Sequence, residues 1–190
     1  MAATELSGAV PSRARAREAA RAWIFAYTAI WAVTLMADAT VALAAGGLAR
    51  LVRAAIGLTL TPAHNAPAQL DAVAVMAAHN APIAAWPLLL GLAGLQRARF
   101  ARGAADCLVL ASMLANSVPV GAALGAYGTR LLAYVPQLPI EWAGLALGYG
   151  GWLVQRRREM SSRERALWLS LVLLAMFLAA IIESSAVPHR

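Results

Sequence analysis

Apolar runs of about 20 residues recur along this chain, separated by short segments that carry arginine, and a run of that length is what a helix needs to cross the hydrocarbon core of a bilayer. The expected fold class is therefore all-α, a polytopic membrane helix bundle. Composition agrees. The chain is 61% hydrophobic and 13% charged, with mean hydropathy +0.65, whereas an ordinary soluble domain has about 45–50% apolar and about 25% charged residues. A length of 190 residues gives one membrane domain and leaves no room for a soluble catalytic domain beside it.

Taken in order, residues 1–21 read as a basic cytoplasmic arm with Arg13, Arg15, Arg17 and Arg21. A single transmembrane domain, 22–187, follows, and 188–190 is a tail. Five spans are expected, at about 23–45, 72–95, 104–127, 131–154 and 166–187. The first run is longer than a signal-peptide core and contains Asp38, so it is read as a retained helix despite the cleavage-like Ala42-Leu43-Ala44. Residues 48–60 are apolar but interrupted by Arg50 and Arg53, which fits an amphipathic helix lying at the membrane interface. Residues 61–71, with Pro62 and Pro67, read as a loop.

Arginine supplies all 16 basic residues, and there is no lysine. A net charge of +7 would point to nucleic acid in a soluble protein. Here the arginines sit at the ends of apolar runs, and no basic stripe interleaved with aromatics is present. Topology explains them better. With the N-terminus inside and five spans, twelve arginines fall inside and four outside, the bias of the positive-inside rule. The implied location is the cell membrane, multi-pass, with the N-terminus cytoplasmic and the C-terminus extracytoplasmic. The partners expected are the lipid bilayer and other membrane or peptide components, with a homo-oligomer left open and nucleic acid excluded.

Ionisable and amide residues inside a bilayer are expensive and tend to face a bundle interior or water. The candidates are Asp38, His79, Asn80, Asn116 and Glu141, with Glu183 near the end of the last span. Asn80 and Asn116 can act as interhelical glue, and Asp38 lies near the outer interface. Glu141 follows Pro136-Gln137-Leu138-Pro139. Those prolines predict a re-entrant or broken segment before the carboxylate, which survives at membrane depth only when buried in protein or lining water. Pro82 and Pro87 likewise predict a kinked or broken second span. His79 can titrate, donate or accept, although a lone histidine is as readily a structural group.

Catalytic patterns are missing. There is no HExxH, no GxSxG, no P-loop and no second histidine at helical spacing. Ala63-His64-Asn65-Ala66-Pro67 recurs as Ala78-His79-Asn80-Ala81-Pro82, but in a helical register the two histidines would stand about 22 Å apart. The single cysteine, Cys107, has no partner for a disulfide and no zinc pattern around it. No metal or cofactor is expected. Gly121 and Gly125 in the third span, and Gly144 and Gly148 in the fourth, place small residues at the spacing of close helix packing, within the chain or across a dimer.

Three stretches, Asn80 to Gly94, Asn116-Ser117-Val118-Pro119-Val120-Gly121 and Pro136 to Gly151, occur in an order that resembles the stage II sporulation protein M family of integral membrane proteins. Asn80, Asn116, Gly121, Pro136 and Glu141 stand at the matching positions. Ser117 replaces a usual glycine, and Gln137-Leu138 replaces a His-Gly step. The resemblance implies a polytopic membrane component acting with partners, as a scaffold for envelope remodelling or in maturation and export of circular bacteriocins. It carries over no catalytic residue.

Three functions are therefore expected in this order: a membrane subunit or scaffold of a multiprotein complex; a proton-coupled transporter or channel-like subunit; and an intramembrane peptide-processing enzyme using His79 and Glu141 as an acid/base pair.

Overall fold

The computed structural model describes residues 13–44, 46–58 and 69–186, with residue 186 described by its backbone alone. The start of the basic arm (1–12), the end of the interfacial segment (59–60), the first copy of the repeat (63–67) and the tail (188–190) lie outside the described residues.

The described residues form six α-helices and no strands: α1 Arg13–Leu43, α2 Gly47–Ile56, α3 Leu70–Leu89, α4 Arg99–Tyr127, α5 Leu138–Gln155 and α6 Ser162–Ala186. A 3-10 segment, Gly128–Tyr134, joins α4 to the turn before α5. By length and hydropathy four of these are candidate membrane spans: α1, α3, α4 with its 3-10 extension, and α6. Their outward residues are apolar too. On α6 Leu167, Leu171, Leu174 and Leu178 are exposed, and on α4 Leu108, Leu110 and Leu114. A helix apolar on its outer as well as its inner face is a helix made for lipid.

α5 differs from the rest. It is 18 residues long and carries a glutamate, two tryptophans and four glycines, which lower its hydropathy. Twelve of its 18 residues are buried, because it packs against α1, α3 and α6 together. Glycine makes that possible. A Cβ added at Gly148 would stand 1.9 Å from the carbonyl oxygen of Ala84 on α3, and one at Gly144 would stand 2.5 Å from Met176 Cε on α6. At Gly151 it would meet Leu88 Cδ2 at 2.0 Å. α4 and α1 use the same device. Cβ atoms at Gly121 and Gly125 would reach the carbonyl oxygens of Thr34 and Asp38 at 2.2 and 2.4 Å. The small residues singled out in the sequence are thus consumed by packing within one chain.

The prolines are placed differently from expectation. α3 runs unbroken through Pro82 and ends two residues after Pro87, short of the span limit near residue 95. Residues 90–97 are turns. The end of α3 is capped from α5: Gln155 Nε2 donates to the Leu88 carbonyl at 3.0 Å, one of the last-turn acceptors a helix leaves unpaired. Pro136 and Pro139 do not break a helix. Pro139 occupies the first turn of α5, where a missing N–H costs nothing. The fourth span accordingly begins as a helix at Leu138, and the preceding seven-residue 3-10 segment replaces the start expected near residue 131.

The two ends of the bundle are chemically distinct. At one end, Arg158 after α5 bridges α1 and α6, with Nε 2.8 Å from Glu18 Oε2 and Nη1 2.8 Å from Glu164 Oε2. The Glu164 carboxylate, and then Glu18, hold the Arg158 guanidinium more firmly protonated than usual. Arg156 pairs with Asp106 at 2.9 Å, and Arg97 with Glu159 at 2.8 Å. At the other end α2 lies against α4, where Arg53 Nη1 donates to the Ala126 carbonyl at 2.6 Å. A cation at a helix C-terminus is favoured by the helix dipole.

A prediction follows from the glycine contacts. Gly148→Ala must push α3 and α5 apart, because the obstructing atom is backbone, and should cost roughly 1–3 kcal/mol. Gly103→Ala, which meets nothing within 4 Å, should be neutral or stabilising by up to about 1 kcal/mol. Thermal unfolding midpoints of the two variants in one detergent check the order.

Candidate functional site

The ends of α5 and α6 away from the arginine cluster, with the middle of α3 and the C-terminal half of α4, line a half-open cavity of about 310 Å³. Five polar side chains line it: Asn80 from α3, Asn116 from α4, Gln137 and Glu141 from the start of α5, and Glu183 from α6. Trp142, Leu145, Ile83 and Met176 contribute apolar wall. No basic residue is among the lining residues.

Each polar group is positioned by a local rule. Glu141 stands in the first turn of α5, the favoured place for a carboxylate at a helix N-terminus. Pro139 starts the helix there, so the carboxylate's position follows directly from the proline. Asn80 reaches across from α3, its Nδ2 donating to Glu141 Oε1 at 3.4 Å. Asn116 Nδ2 donates to the Ser112 carbonyl one turn back on α4 at 2.7 Å. Gln137 is 6% exposed, and its Oε1 meets no hydrogen-bond partner. A buried amide oxygen without a partner costs about 1–3 kcal/mol, so it stands ready for a donor. Trp142 is 2% exposed and packs its ring 4.8 Å from that of Trp31 on α1.

The arrangement is acceptor-rich. Two carboxylates line the space beside three amides, and the amide nitrogens of Asn80 and Asn116 each spend one N–H, on Glu141 and on the Ser112 carbonyl. Among the described residues no group of three or more His, Cys, Asp or Glu side chains is placed to hold a metal ion.

The sequence candidates divide accordingly. Asn80, Asn116 and Glu141 come to the same cavity. His79 does not line it; it is exposed on α3, the next residue, Asn80, taking the inward position. Asp38 is half-buried on α1, where its backbone packs against Gly125. In the sequence Glu183 stands out only as a carboxylate near the end of the last span, and Gln137 only as part of a departure from a family pattern. The signal for Glu183 was available: it is an uncompensated acid within the most apolar span, whose mean hydropathy reaches 2.4. Nothing in the sequence marked Gln137, since its burial depends on how the turn before α5 folds back.

Asn80 and Glu141 define a measurable coupling. A double-mutant cycle of Asn80→Ala and Glu141→Ala, read by unfolding in mixed micelles, should give an interaction of about 0.6 kcal/mol and no more than about 1.7 kcal/mol. The same cycle on His79 and Glu141 should give none.

The chain matches no protein-family model, no curated protein and no solved structure.

Proposed function

We propose that this chain is a multi-pass membrane subunit of transporter or channel type, with a polar binding site built around Glu141 in the outer half of its bundle. The observation that carries the reading is the cavity itself. An apolar bundle has no structural need to gather two carboxylates and three amides around an open space of about 310 Å³, and intramembrane ionisable groups in such a place mark solute or proton pathways. The first turn of α5 and the last turn of α6 supply its acids, which places the site at one end of the bundle, within reach of the water on that side.

The topology belongs to the same proposal. α5, fourth in chain order, brings the number of spans to five. At about 1.5 Å per residue its 18 residues are about 27 Å long, close to the hydrocarbon thickness of about 30 Å, and its glutamate and glycines face protein rather than lipid. The ion-paired end, with Arg97, Arg156 and Arg158, faces the cytoplasm, and the cavity opens toward the other side.

The resemblance to the stage II sporulation protein M family rests on residues of which three, Asn80, Asn116 and Glu141, share the cavity. That supports treating them as one site. A pure scaffold role, the first expectation from the sequence, draws on the missing catalytic patterns and on the resemblance, and has no use for the cavity. The acid/base pair of His79 and Glu141 draws no support from the exposed position of His79.

Two measurements test the reading. Cysteine labelling from outside intact cells should modify Ala133→Cys, before α5, and leave Arg157→Cys, after it, unmodified. In pyranine-loaded liposomes, the purified protein should move protons, and Glu141→Gln should abolish that flux or its pH dependence. Wild-type flux by the variant removes the transport role.

A further inference from the structure

Deepening the transport reading, we propose that the cavity between α3, α5 and α6 binds a small organic cation, an ammonium or guanidinium group carrying an apolar substituent. Four observations converge on this chemistry.

The charge pattern comes first. Glu141 and Glu183 line one space with no basic residue among its walls. Two half-buried carboxylates sharing one space are relieved by protons or by a cation between them, and Asn80 supplies one donor to one of them. A bound cation satisfies both at once.

The second observation is independent of the acids. Gln137 is more than nine-tenths buried, lines the same cavity, and leaves its Oε1 without a donor. Nothing in the fold explains an amide held there unsatisfied. An ammonium offers three donors and a guanidinium five, enough to serve both carboxylates, and a turn of the Gln137 amide toward the cavity it lines would add its oxygen as a further acceptor.

Size distinguishes an organic cation from a metal ion. A volume of about 310 Å³ falls at the lower end of the range for small-molecule sites, about 300–1,000 Å³. It is far larger than a coordination shell, and the described residues offer no group of three acidic, histidine or cysteine side chains to close on a metal.

The wall supplies the last argument. Leu145, Ile83 and Met176 would take an apolar substituent, and Trp142 places an indole ring beside the acids. Aromatic rings attract cations that lie over their faces. A hydrated inorganic ion uses neither feature.

The test is equilibrium binding of radiolabelled phenethylammonium to the whole protein in lipid nanodiscs, with phenethyl alcohol as the uncharged competitor and sodium as the inorganic one. Saturable binding at one site per chain, displaced by unlabelled amine and not by the alcohol or by an equal concentration of sodium, is the expected result. Glu141→Gln and Glu183→Gln should each weaken it about tenfold or more. Asp38→Asn, whose residue lies outside the cavity lining, should leave it unchanged. A parallel arm with a lysine-containing tripeptide separates a free amine from a peptide side chain as the source of the cation, and displacement of the label by either supports the site.

Displacement by sodium or by the alcohol as effectively as by amine overturns the proposal, as does absence of saturable binding to the wild-type protein. That arm requires no variant to fold. Amine binding without proton flux would leave this inference standing and remove the transport role. Glu141-dependent proton flux without amine binding would do the reverse.

Discussion

The fold depends on the close approach of backbones across the glycines of α5. In lipid there is no hydrophobic gain from bringing two apolar helices together, so association rests on van der Waals contact and on interhelical hydrogen bonds. Contact of that quality needs small residues at the crossing. Gly144 and Gly148 admit Met176 and the backbone at Ala84, and Gly151 admits Leu88. α5 can therefore touch α1, α3 and α6 at once. Replacing those contacts by ordinary aliphatic side chains would leave a looser set of four lipid-facing helices with no common partner.

Because α5 is central, whatever it carries is placed inside the bundle. Its C-terminal end puts Gln155 under the last turn of α3 and leads into Arg158, which joins α1 and α6. Its N-terminal end carries Glu141, and Pro139 sets the helix start so that the carboxylate falls in the first turn. α3 and α6 flank this end, and their Asn80 and Glu183 complete the wall. One helix thus ties the charged end of the bundle to the polar cavity, and packing at one end constrains the geometry of the other. The aromatic run Trp23, Tyr27, Trp31 and Trp142 lies along the same α1–α5 seam, with Trp23 Nε1 donating to the Ala143 carbonyl at 3.1 Å. That bond satisfies a half-buried indole and fixes the lengthwise register of α1 on α5.

Much of this could be read in the chain beforehand. Apolar length marks α1, α3, α4 and α6 as candidate spans, because a bilayer imposes one length and one composition on anything exposed to it. The interruption of 48–60 by Arg50 and Arg53 marks a short helix outside that set, and α2 is that helix as far as it is described. α5 was harder. A helix surrounded by protein escapes the lipid's demand for apolar residues, so its glycines, tryptophans and glutamate blur the very signal that identifies its neighbours. The prolines misled for a related reason. Proline removes a donor at its own position, yet it can sit inside a continuous helix, as at Pro82, or in the first turn of a new one, as at Pro139.

The sequence by itself determined that this is an all-α chain with long apolar helices, that its arginines gather in the segments between them, and that Glu141, Asn80 and Asn116 are polar groups in an apolar setting. Those are properties of single segments, set by length, composition and local charge. Only the tertiary structure decided that these three share a cavity with Glu183 and Gln137, that His79 stays outside it, and that the glycines are spent within the chain. Each of those depends on the rotation of one helix against another. A one-residue step turns a helical side chain by about 100°, which is the whole difference between His79 on the surface and Asn80 at the carboxylate.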